Sequence, residues 1–318
     1  MKGKSLIFVI GLMTSAVMVF ANGQPEKSSA ASGGNSTAMT TQSKSITVGA
    51  KNFTEQYNMG QIIAQMLAAN GFKVKEDSGL SSTVVRKGIE TGQVDIYADY
   101  TGTAWVTYLK NKTVIHDPQK LYEAVKAEDL KKNNIVWLNM LPVNDTYALA
   151  VKKDFAEKNN LKTLSDLAAL VNKDPKKFNF AIDYEFFQRP DGFVAMAKDY
   201  GMNVPEKQIK TMQIGLTYSA IEKNDVNVAM VFSTDGNLKK YNMTVLKDDK
   251  QFFPAYNIAI CVRKDVLDKY PQIRTIFAPL DKALTQNAMI DMNYQVDAMK
   301  QEPANVVKKF LTENNLIK

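Results

Sequence analysis

The most informative segment for the architecture is Asp95-Ile96-Tyr97-Ala98-Asp99-Tyr100-Thr101-Gly102-Thr103-Ala104-Trp105. It reads as a buried strand, residues 94–98, that runs into an aromatic residue, a Thr-Gly turn and the start of a helix. Ligands of parallel sheets bind at the carboxyl ends of strands, so Tyr100 and Thr103 are expected there. A second polar and aromatic stretch, Asn144-Asp145-Thr146-Tyr147, precedes the apolar residues 148–151 and predicts a facing wall of the same cleft.

The residues before this stretch predict alternating strands and helices. Residues 46–50 read as a strand, and the following helix is expected to be capped by Asn52 with Glu55 as the reciprocal partner. A strand at 72–75 and a helix that starts near Ser81 and ends at Thr91-Gly92 come next. This order, β-α-β-α-β, predicts a largely parallel sheet with helices on both faces.

The residues after it predict a second lobe and a return to the first. We place the first crossing at residues 144–151 and the return at residues 258–262. Between them, the turn Arg189-Pro190-Asp191-Gly192 is expected to lead into a helix capped by Asp191. The prediction is an α/β, two-lobed periplasmic-binding-protein fold of type II. Each lobe is a mixed, mostly parallel sheet flanked by helices, with a ligand cleft between lobe I (46–148 and 257–318) and lobe II (149–256).

The amino-terminal residues predict export. Lys2 and Lys4 precede an apolar run at residues 6–20, and Val19-Phe20-Ala21 offers a signal-peptidase site, so residues 1–21 are predicted to be a signal peptide. A membrane anchor is the alternative, but about fifteen residues are few for a span of roughly twenty. Residues 22–45 have almost no apolar side chains and predict a disordered tether. The expected location is periplasmic or otherwise extracytoplasmic.

Composition argues against several classes of function. The formal charge is +7, but the lysines are scattered among acids, and no basic stripe or reading module for nucleic acid is visible. The single cysteine, Cys261, lies in an apolar run and is expected in the core. The single histidine, His116, stands before Asp117-Pro118 as a turn residue, without a nucleophile motif, a metal-spaced cluster or a nucleotide-binding loop. We therefore predict a non-enzyme with no cofactor or metal.

Six segments in order resemble one family over nearly the whole mature chain. That family is the substrate-binding proteins of osmoprotectant ABC transporters, which bind glycine betaine, choline and related quaternary amines. The segments are Gly49-Ala50-Lys51-Asn52-Phe53-Thr54-Glu55-Gln56, residues 95–104, residues 144–149, Phe186-Phe187-Gln188-Arg189-Pro190-Asp191-Gly192, Phe232-Ser233-Thr234-Asp235-Gly236, and residues 248–256.

The resemblance implies an aromatic cage. A quaternary ammonium has no hydrogen to donate, so it is recognised by the faces of aromatic rings and by a nearby acid. Family members place these rings at positions that match Tyr100, Tyr147, Phe232 and Tyr256, and the acid at Asp145. Phe232 departs from the tyrosine that is frequent there, which removes a hydroxyl contact but keeps a ring face.

The resemblance also implies a site for a ligand carboxylate. Lys51, Thr103 and Arg189 match the family positions that hold it, and together they favour a zwitterionic amine over choline. Whether Tyr97 or Tyr218 lines the pocket stays open. The expected protein is a monomer that delivers its ligand to a membrane permease in osmoregulation. The alternatives are a sensory module for the same solutes, a binding protein for choline, carnitine or another small amine, and an exported enzyme acting on such an amine.

Overall fold

The structure is a computed structural model that describes residues 44–318. The predicted signal peptide lies outside the described residues, as does the predicted tether up to residue 43. Ser45, the last residue of that tether, already begins the first strand. Within residues 44–318, no helix is both long and apolar enough to cross a membrane.

Strands and helices alternate along most of the described chain. The strands are β1 Ser45–Lys51, β2 Lys73–Leu80, β3 Ile96–Tyr100, β4 Ile135–Asn144, β5 Tyr147–Lys152, β6 Phe180–Asp183, β7 Ile209–Met212, β8 Val228–Phe232, β9 Met243–Val245 and β10 Asn257–Arg263. The α-helices are α1 Thr54–Ala69, α2 Ser82–Thr91, α3 Thr101–Thr103, α4 Pro118–Asn133, α5 Lys153–Asn159, α6 Leu164–Lys173, α7 Tyr184–Gln188, α8 Phe193–Asp199, α9 Leu216–Glu222, α10 Asn237–Lys240, α11 Lys264–Lys269, α12 Ile273–Phe277, α13 Leu280–Ala283, α14 Gln286–Asp297 and α15 Pro303–Glu313. A π-helix, Ala104–Tyr108, continues α3.

Two five-stranded sheets organise these elements. The strand order is β2-β1-β3-β10-β4 in the first sheet and β7-β6-β8-β5-β9 in the second. In the first sheet β1 is parallel to β2 and β3, whereas β10 is antiparallel to β3 and β4. In the second, β6 is parallel to β7 and β8, whereas β5 is antiparallel to β8 and β9. Both sheets are therefore mixed, as predicted, but the prediction that they are mostly parallel was wrong: each has two parallel and two antiparallel pairs, because β10 and β5 run antiparallel to both of their neighbours.

The chain passes between the sheets twice. It leaves the first sheet after β4, enters the second at β5, and returns between β9 and β10. The two connecting segments are tied together, because the Asp145 N–H donates to the Tyr256 carbonyl at 3.1 Å and the Tyr256 N–H donates to Asn144 Oδ1 at 2.7 Å. The exact lobe boundaries, 148/149 and 256/257, stay predictions.

Apolar periodicity explains how the elements pack. The helical-spaced residues Met59, Ile62 and Ile63 of α1 are buried against the first sheet. All five residues of β8 are buried, as a continuous apolar strand predicts. Cys261 is buried on β10 in a core cluster, which confirms its predicted place in the core.

Three local predictions were wrong. Helix α1 begins at Thr54 after Phe53, and no side chain caps it, because Glu55 turns into the protein interior instead of back to Asn52. Strand β3 runs directly into α3 without a turn, and Gly102 is helical; a Cβ there would meet the Tyr256 ring at 2.7 Å. Helix α8 is preceded by Gly192 and not capped by Asp191, since the Asp191 carboxylate accepts hydrogen bonds from Arg189 instead.

Candidate ligand-binding site

Most of the predicted site residues line one small cavity. Its volume is about 20 Å³, which is room for about one water molecule. Seven of the eight predicted residues line it, together with two that were not predicted, Phe53 and Ser82; the seven are Lys51, Tyr100, Thr103, Asp145, Tyr147, Phe232 and Tyr256. The eighth, Arg189, lies beside the cavity, where its Nη1 donates to Thr103 Oγ1 at 3.2 Å.

Strand ends and connecting segments place these side chains. Lys51, Tyr100 and Phe232 are the last residues of β1, β3 and β8. Tyr147 is the first residue of β5, directly opposite Phe232 in the ladder. Tyr256 directly precedes β10. The carboxyl ends of parallel strands from both sheets therefore converge on the same cavity.

Five rings form what we call the aromatic cluster: Phe53, Tyr100, Tyr147, Phe232 and Tyr256. Phe232 is central, with its ring centroid 4.9 Å from that of Phe53 and 5.0 Å from that of Tyr147. Tyr147 and Tyr256 meet edge to face at 5.6 Å and 82°. The ring faces therefore enclose the cavity from both sheets.

A further ring supports the cluster from behind. Phe186 of α7 stacks on Tyr147 with 4.5 Å between centroids and 8° between planes. It is fully buried and does not line the cavity. Its contact fixes the plane that Tyr147 presents.

Two cations lie at one side of the cavity, which we call the basic end. Lys51 is 2% exposed, and its Nζ lies 2.6 Å from Asp99 Oδ1. Asp99 also accepts hydrogen bonds from the Tyr97 hydroxyl and from the backbone N–H of Tyr100. The ammonium group is thus held in place by a fully buried carboxylate.

Arg189 is the second cation of the basic end. Its Nε and Nη2 donate to the two oxygens of Asp191 at 2.8 and 2.7 Å, in a bidentate pair. Asp191 Oδ2 also accepts from the Tyr256 hydroxyl at 2.6 Å. The guanidinium carbon lies 5.1 Å from the Tyr147 ring centroid, so Arg189 joins the basic end to the aromatic cluster.

Two carboxyl groups lie at the other side, which we call the acidic end. Asp145 lines the cavity, and its Oδ1 accepts from the hydroxyl of Thr234 at 2.7 Å and from its N–H at 3.2 Å. Behind it, Glu55 accepts from the Tyr100 hydroxyl at 2.8 Å. Burial raises the pKa of Glu55 and raises that of Asp145 well above the ordinary value; the neighbouring Glu55 charge adds to the shift at Asp145.

Sequence reasoning missed Phe53, Ser82 and Glu55. Phe53 and Glu55 stand in the quoted segment at residues 49–56, but an apparent capping box hid their inward orientation. The two tyrosines left open do not line the cavity. Tyr97 contacts Asp99 behind Lys51, and the Tyr218 hydroxyl donates to Asp235 Oδ2 at 2.8 Å.

The two linked sheets and the site where their strand ends meet define the class of two-lobed solute-binding proteins. The chain belongs to the family described as the substrate binding domain of the ABC-type glycine betaine transport system, which residues 44–313 match. It is thus a substrate-binding component of the transporter type that the resemblance implied.

Known relatives share this class. The chain is 37% identical to a glycine-betaine-binding protein of Pseudomonas aeruginosa over 87% of this chain and 90% of that protein. It is 35% identical to an ergothioneine transport permease/ergothioneine binding protein of Helicobacter pylori, over 85% of this chain; it spans about half of that longer protein, 48%. A crystal structure of a glycine betaine/carnitine/choline ABC transporter superposes with a TM-score of 0.70 at 28% identity, over 87% of this chain and all of that one.

Proposed function

We propose that this protein captures glycine betaine or a related quaternary amine between its lobes and delivers it to the permease of an ABC importer. The observation that carries this proposal is the aromatic cluster, whose five rings meet within a few ångströms of two buried carboxyl groups. The proposed ammonium cage is Tyr100, Asp145, Tyr147, Phe232 and Tyr256, with Phe53 as a further wall.

The cluster suits a trimethylammonium group. Each desolvated ring face contributes about 2 kcal/mol of attraction to a cation, so several converging rings give substantial affinity without any hydrogen bond. Asp145 adds attraction that strengthens as water leaves the site. An uncharged solute of the same size would gain neither the attraction to the ring faces nor the attraction to Asp145.

The basic end suits a ligand carboxylate. The internal pairs with Asp99 and Asp191 fix the positions of Lys51 and Arg189, and Thr103 supplies a hydroxyl that Arg189 contacts. Since both cations are already paired, a ligand carboxylate would share their remaining hydrogens instead of neutralising them alone. This arrangement supports a zwitterion, with Lys51, Thr103 and Arg189 at its carboxylate.

Ligand entry requires the rings to separate. A cavity of about 20 Å³ is much smaller than a trimethylammonium group, and its rings come from both sheets. A hinge motion that parts the sheets would open the cluster, and closure on the ligand would restore it. We propose that an exported monomer undergoes this motion outside the cytoplasm, that the permease binds the closed form, and that the ligand leaves chemically unchanged.

Calorimetric titration of the purified protein tests the ligand class. The panel is glycine betaine, choline, carnitine, ergothioneine and proline; ergothioneine is included because it too carries a trimethylammonium and a carboxylate and because one relative is named for it. We expect a quaternary amine to bind with a micromolar or tighter Kd, near −8 kcal/mol. Betaine over choline supports the roles of Lys51, Thr103 and Arg189. No binding by any quaternary amine would overturn the proposal, and binding of proline alone would replace the ligand class.

Removal of one cage ring tests the cluster itself. Tyr147→Ala should weaken betaine binding by about 2 kcal/mol, roughly thirtyfold, because it removes one ring face from the proposed cage. Tyr147→Phe is the matched control and should bind within a few-fold of wild type, since it keeps the ring face. Circular dichroism and thermal unfolding of both variants separate lost binding from lost folding. An alanine variant that folds and binds normally would remove Tyr147 from the cage.

A further inference from the structure

Glu55 is a buried acid with no part in capping its helix. It stands in the first turn of α1 and is only 2% exposed. Its Oε1 accepts from the Tyr100 hydroxyl at 2.8 Å, and its Oε2 accepts from Asn293 Nδ2 of α14 at 3.4 Å. Asn293 is in turn oriented by Asn58 and by the carbonyl of Thr234. Side chains of β3 and α14 thus hold this carboxyl group of α1.

Thr234 and Asn293 connect the carboxyl groups of Glu55 and Asp145: the hydroxyl and N–H of Thr234 donate to Asp145 Oδ1, and Asn293 Nδ2 donates to both Glu55 Oε2 and the Thr234 carbonyl. Two neighbouring carboxylates that are both buried repel each other when both are ionised, which favours a proton on one of the two groups. Within residues 44–318, every ion pair is made by other acids, so no lysine or arginine neutralises this pair. A shared proton is the counter-charge that remains.

The pair adjoins the aromatic cluster. Asp145 lines the cavity itself, and Glu55 lies directly behind it and holds the hydroxyl of Tyr100, one of the five rings. A cation enclosed by the rings would therefore lie beside this pair in a medium of low dielectric constant. The doubly ionised pair, with a charge of −2, attracts such a cation more strongly than the singly protonated pair, with a charge of −1, so a bound cation favours loss of the proton.

We propose that Glu55 and Asp145 share a single proton in the ligand-free site and that a bound quaternary ammonium group expels this proton to solvent and replaces it. This inference rests on the proposed function and deepens it. Before binding, the pair carries one negative charge and one proton; after binding, it carries two negative charges beside one ligand cation. The proton passes to the buffer, so charge and atoms balance. Glu55 acts here as a positioning residue, because it works through Asp145.

The proposal makes binding dependent on pH. Where the free pair is protonated, each ligand bound releases up to one proton, and affinity rises with pH by as much as about tenfold per pH unit. Above the pKa at which the free pair loses its proton, affinity becomes constant. Burial raises the pKa values of both groups, which extends this range upward from the ordinary range of carboxyl groups.

Other titratable groups face the pair and must be separated from it. They are Tyr100 of β3, Asp235 after β8, and, one turn beyond Asn293 on α14, Asp297, to which Thr54 donates. Lys51 and Asp99 lie beyond Tyr100 and form their own pair. Asp235 is the strongest competing proton source, since burial raises its pKa to about 7.

Calorimetry in several buffers measures the proton directly. Purified protein, from cells that express the full chain, is titrated with glycine betaine at one pH in buffers of different ionisation enthalpy. The dependence of the observed heat on buffer gives the number of protons released. We expect release that approaches one proton at pH values below the transition and falls to zero above it. Betaine binding without proton release at any pH from 5 to 9 would overturn the acid pair and leave the proposed function standing.

Variants assign the proton. Glu55→Gln should abolish proton release and flatten the pH dependence of Kd, because an amide donates to Asp145 without a titratable proton. Asp297→Asn, the matched control, should keep both the proton release and the pH dependence of Kd. If Asp235→Asn abolishes release and Glu55→Gln does not, the assignment to Glu55 and Asp145 is wrong. Failure of every quaternary amine to bind wild type would overturn the proposed function and this inference together.

An infrared difference spectrum of the wild-type protein tests the shared proton without any variant. Wild-type protein with and without betaine, at a pH where protons are released, should show loss of the carbonyl band of a protonated carboxylic acid. An unchanged band during saturating binding would contradict a shared proton between these groups.

Discussion

The basic end and the acidic end of the site hold their charges in opposite ways. At the basic end, Lys51 and Arg189 are each paired with a buried carboxylate of the protein, at 2.6 and 2.7 Å. At the acidic end, Glu55 accepts from Tyr100 and Asp145 accepts from Thr234, and no cation of residues 44–318 pairs with either acid. Carboxylates of the protein neutralise the basic end, whereas the acidic end requires a proton or a ligand cation to reduce its negative charge.

Because of this difference, the basic end has a structural role, whereas the acidic end can change its charge when a ligand binds. A buried pair of opposite charges costs little while it stays complete, but loss of one partner leaves a charge without solvent or counter-ion. A buried acid pair pays a desolvation cost whenever it ionises, and a cationic ligand removes that cost. The basic end should therefore control stability, and the acidic end should control the coupling of binding to pH.

The largest expected effect comes from breaking the basic end. Arg189→Met leaves Asp191 buried without its guanidinium partner, and the unfolding free energy should fall by about 3–5 kcal/mol. Urea denaturation at pH 7 measures this loss. Arg189→Lys should recover only part of it, since an ammonium group cannot form the bidentate contact.

A double variant distinguishes charge from packing. Arg189→Met with Asp191→Asn removes both charges and keeps an acceptor for the Tyr256 hydroxyl, so it should recover most of the stability that the single change loses. If the double variant is as unstable as the single one, the loss comes from packing of the guanidinium stem, and the internal pair is not the cause.

Asp145→Asn tests the acidic end and should act in the opposite direction on stability. Because the native state favours the neutral form of Asp145 and the unfolded chain ionises it near pH 4, wild type loses stability as pH rises above 4. The neutral amide avoids this loss and still accepts from Thr234, so at pH 8 we expect a gain of about 1 kcal/mol.

Betaine binding by the same variant should weaken by about tenfold, since the cage loses its acid. Thermal unfolding at pH 5 and pH 8, with calorimetry at pH 8, measures both effects. Asp154→Asn, at an exposed position of α5, is the control and should change neither. If Asp145→Asn were less stable than wild type at pH 8, the Asp145 carboxylate would stabilise the fold as Asp99 and Asp191 do, and the contrast between the two ends would disappear.

Sequence periodicity was enough to predict the two-sheet architecture. A five-residue apolar run such as Val228–Phe232 is buried whichever strands pair with it. The two crossings between the lobes were predicted at places where such runs adjoin polar and aromatic clusters. The order of strands within each sheet could not be predicted, because β10 inserts between β3 and β4 through contacts far apart in the chain.

The site was predicted residue by residue from the resemblance, but its electrostatics were not. Asn52 followed by Glu55 has the spacing of a capping box, and local sequence cannot tell that Tyr100 and Asn293, tens to hundreds of residues away, hold Glu55 instead. The same holds for Asp191, which resembled a helix cap and in fact pairs with Arg189. In both cases a side-chain contact of the charged group replaced the hydrogen bond to the backbone of its helix; the contacts of Glu55 are far apart in the chain, whereas Arg189 is only two residues from Asp191.

Substitution of Asp235, which lies near the acidic end without lining the cavity, should change ligand affinity the least. It accepts from the Tyr218 hydroxyl and the Phe232 N–H, both at 2.8 Å, and burial raises its pKa to about 7. The unfolded chain loses this proton near pH 4, so the native state binds more protons from pH 4 to 7, and the unfolding free energy falls as pH rises through that range.

Asp235→Asn keeps an acceptor for both donors and removes the titration. We expect its unfolding free energy to fall less steeply between pH 5 and 7 than that of wild type, by up to about 1.4 kcal/mol per pH unit, the limit for one full proton. Betaine affinity should change less than threefold, because no ring or acid of the cage is altered. Urea denaturation across this range, with Asp199→Asn as an exposed control, measures the slope. Equal slopes for wild type and Asp235→Asn, with a reduced slope in Glu55→Gln, would mean that the acid pair alone carries the pH dependence of the site.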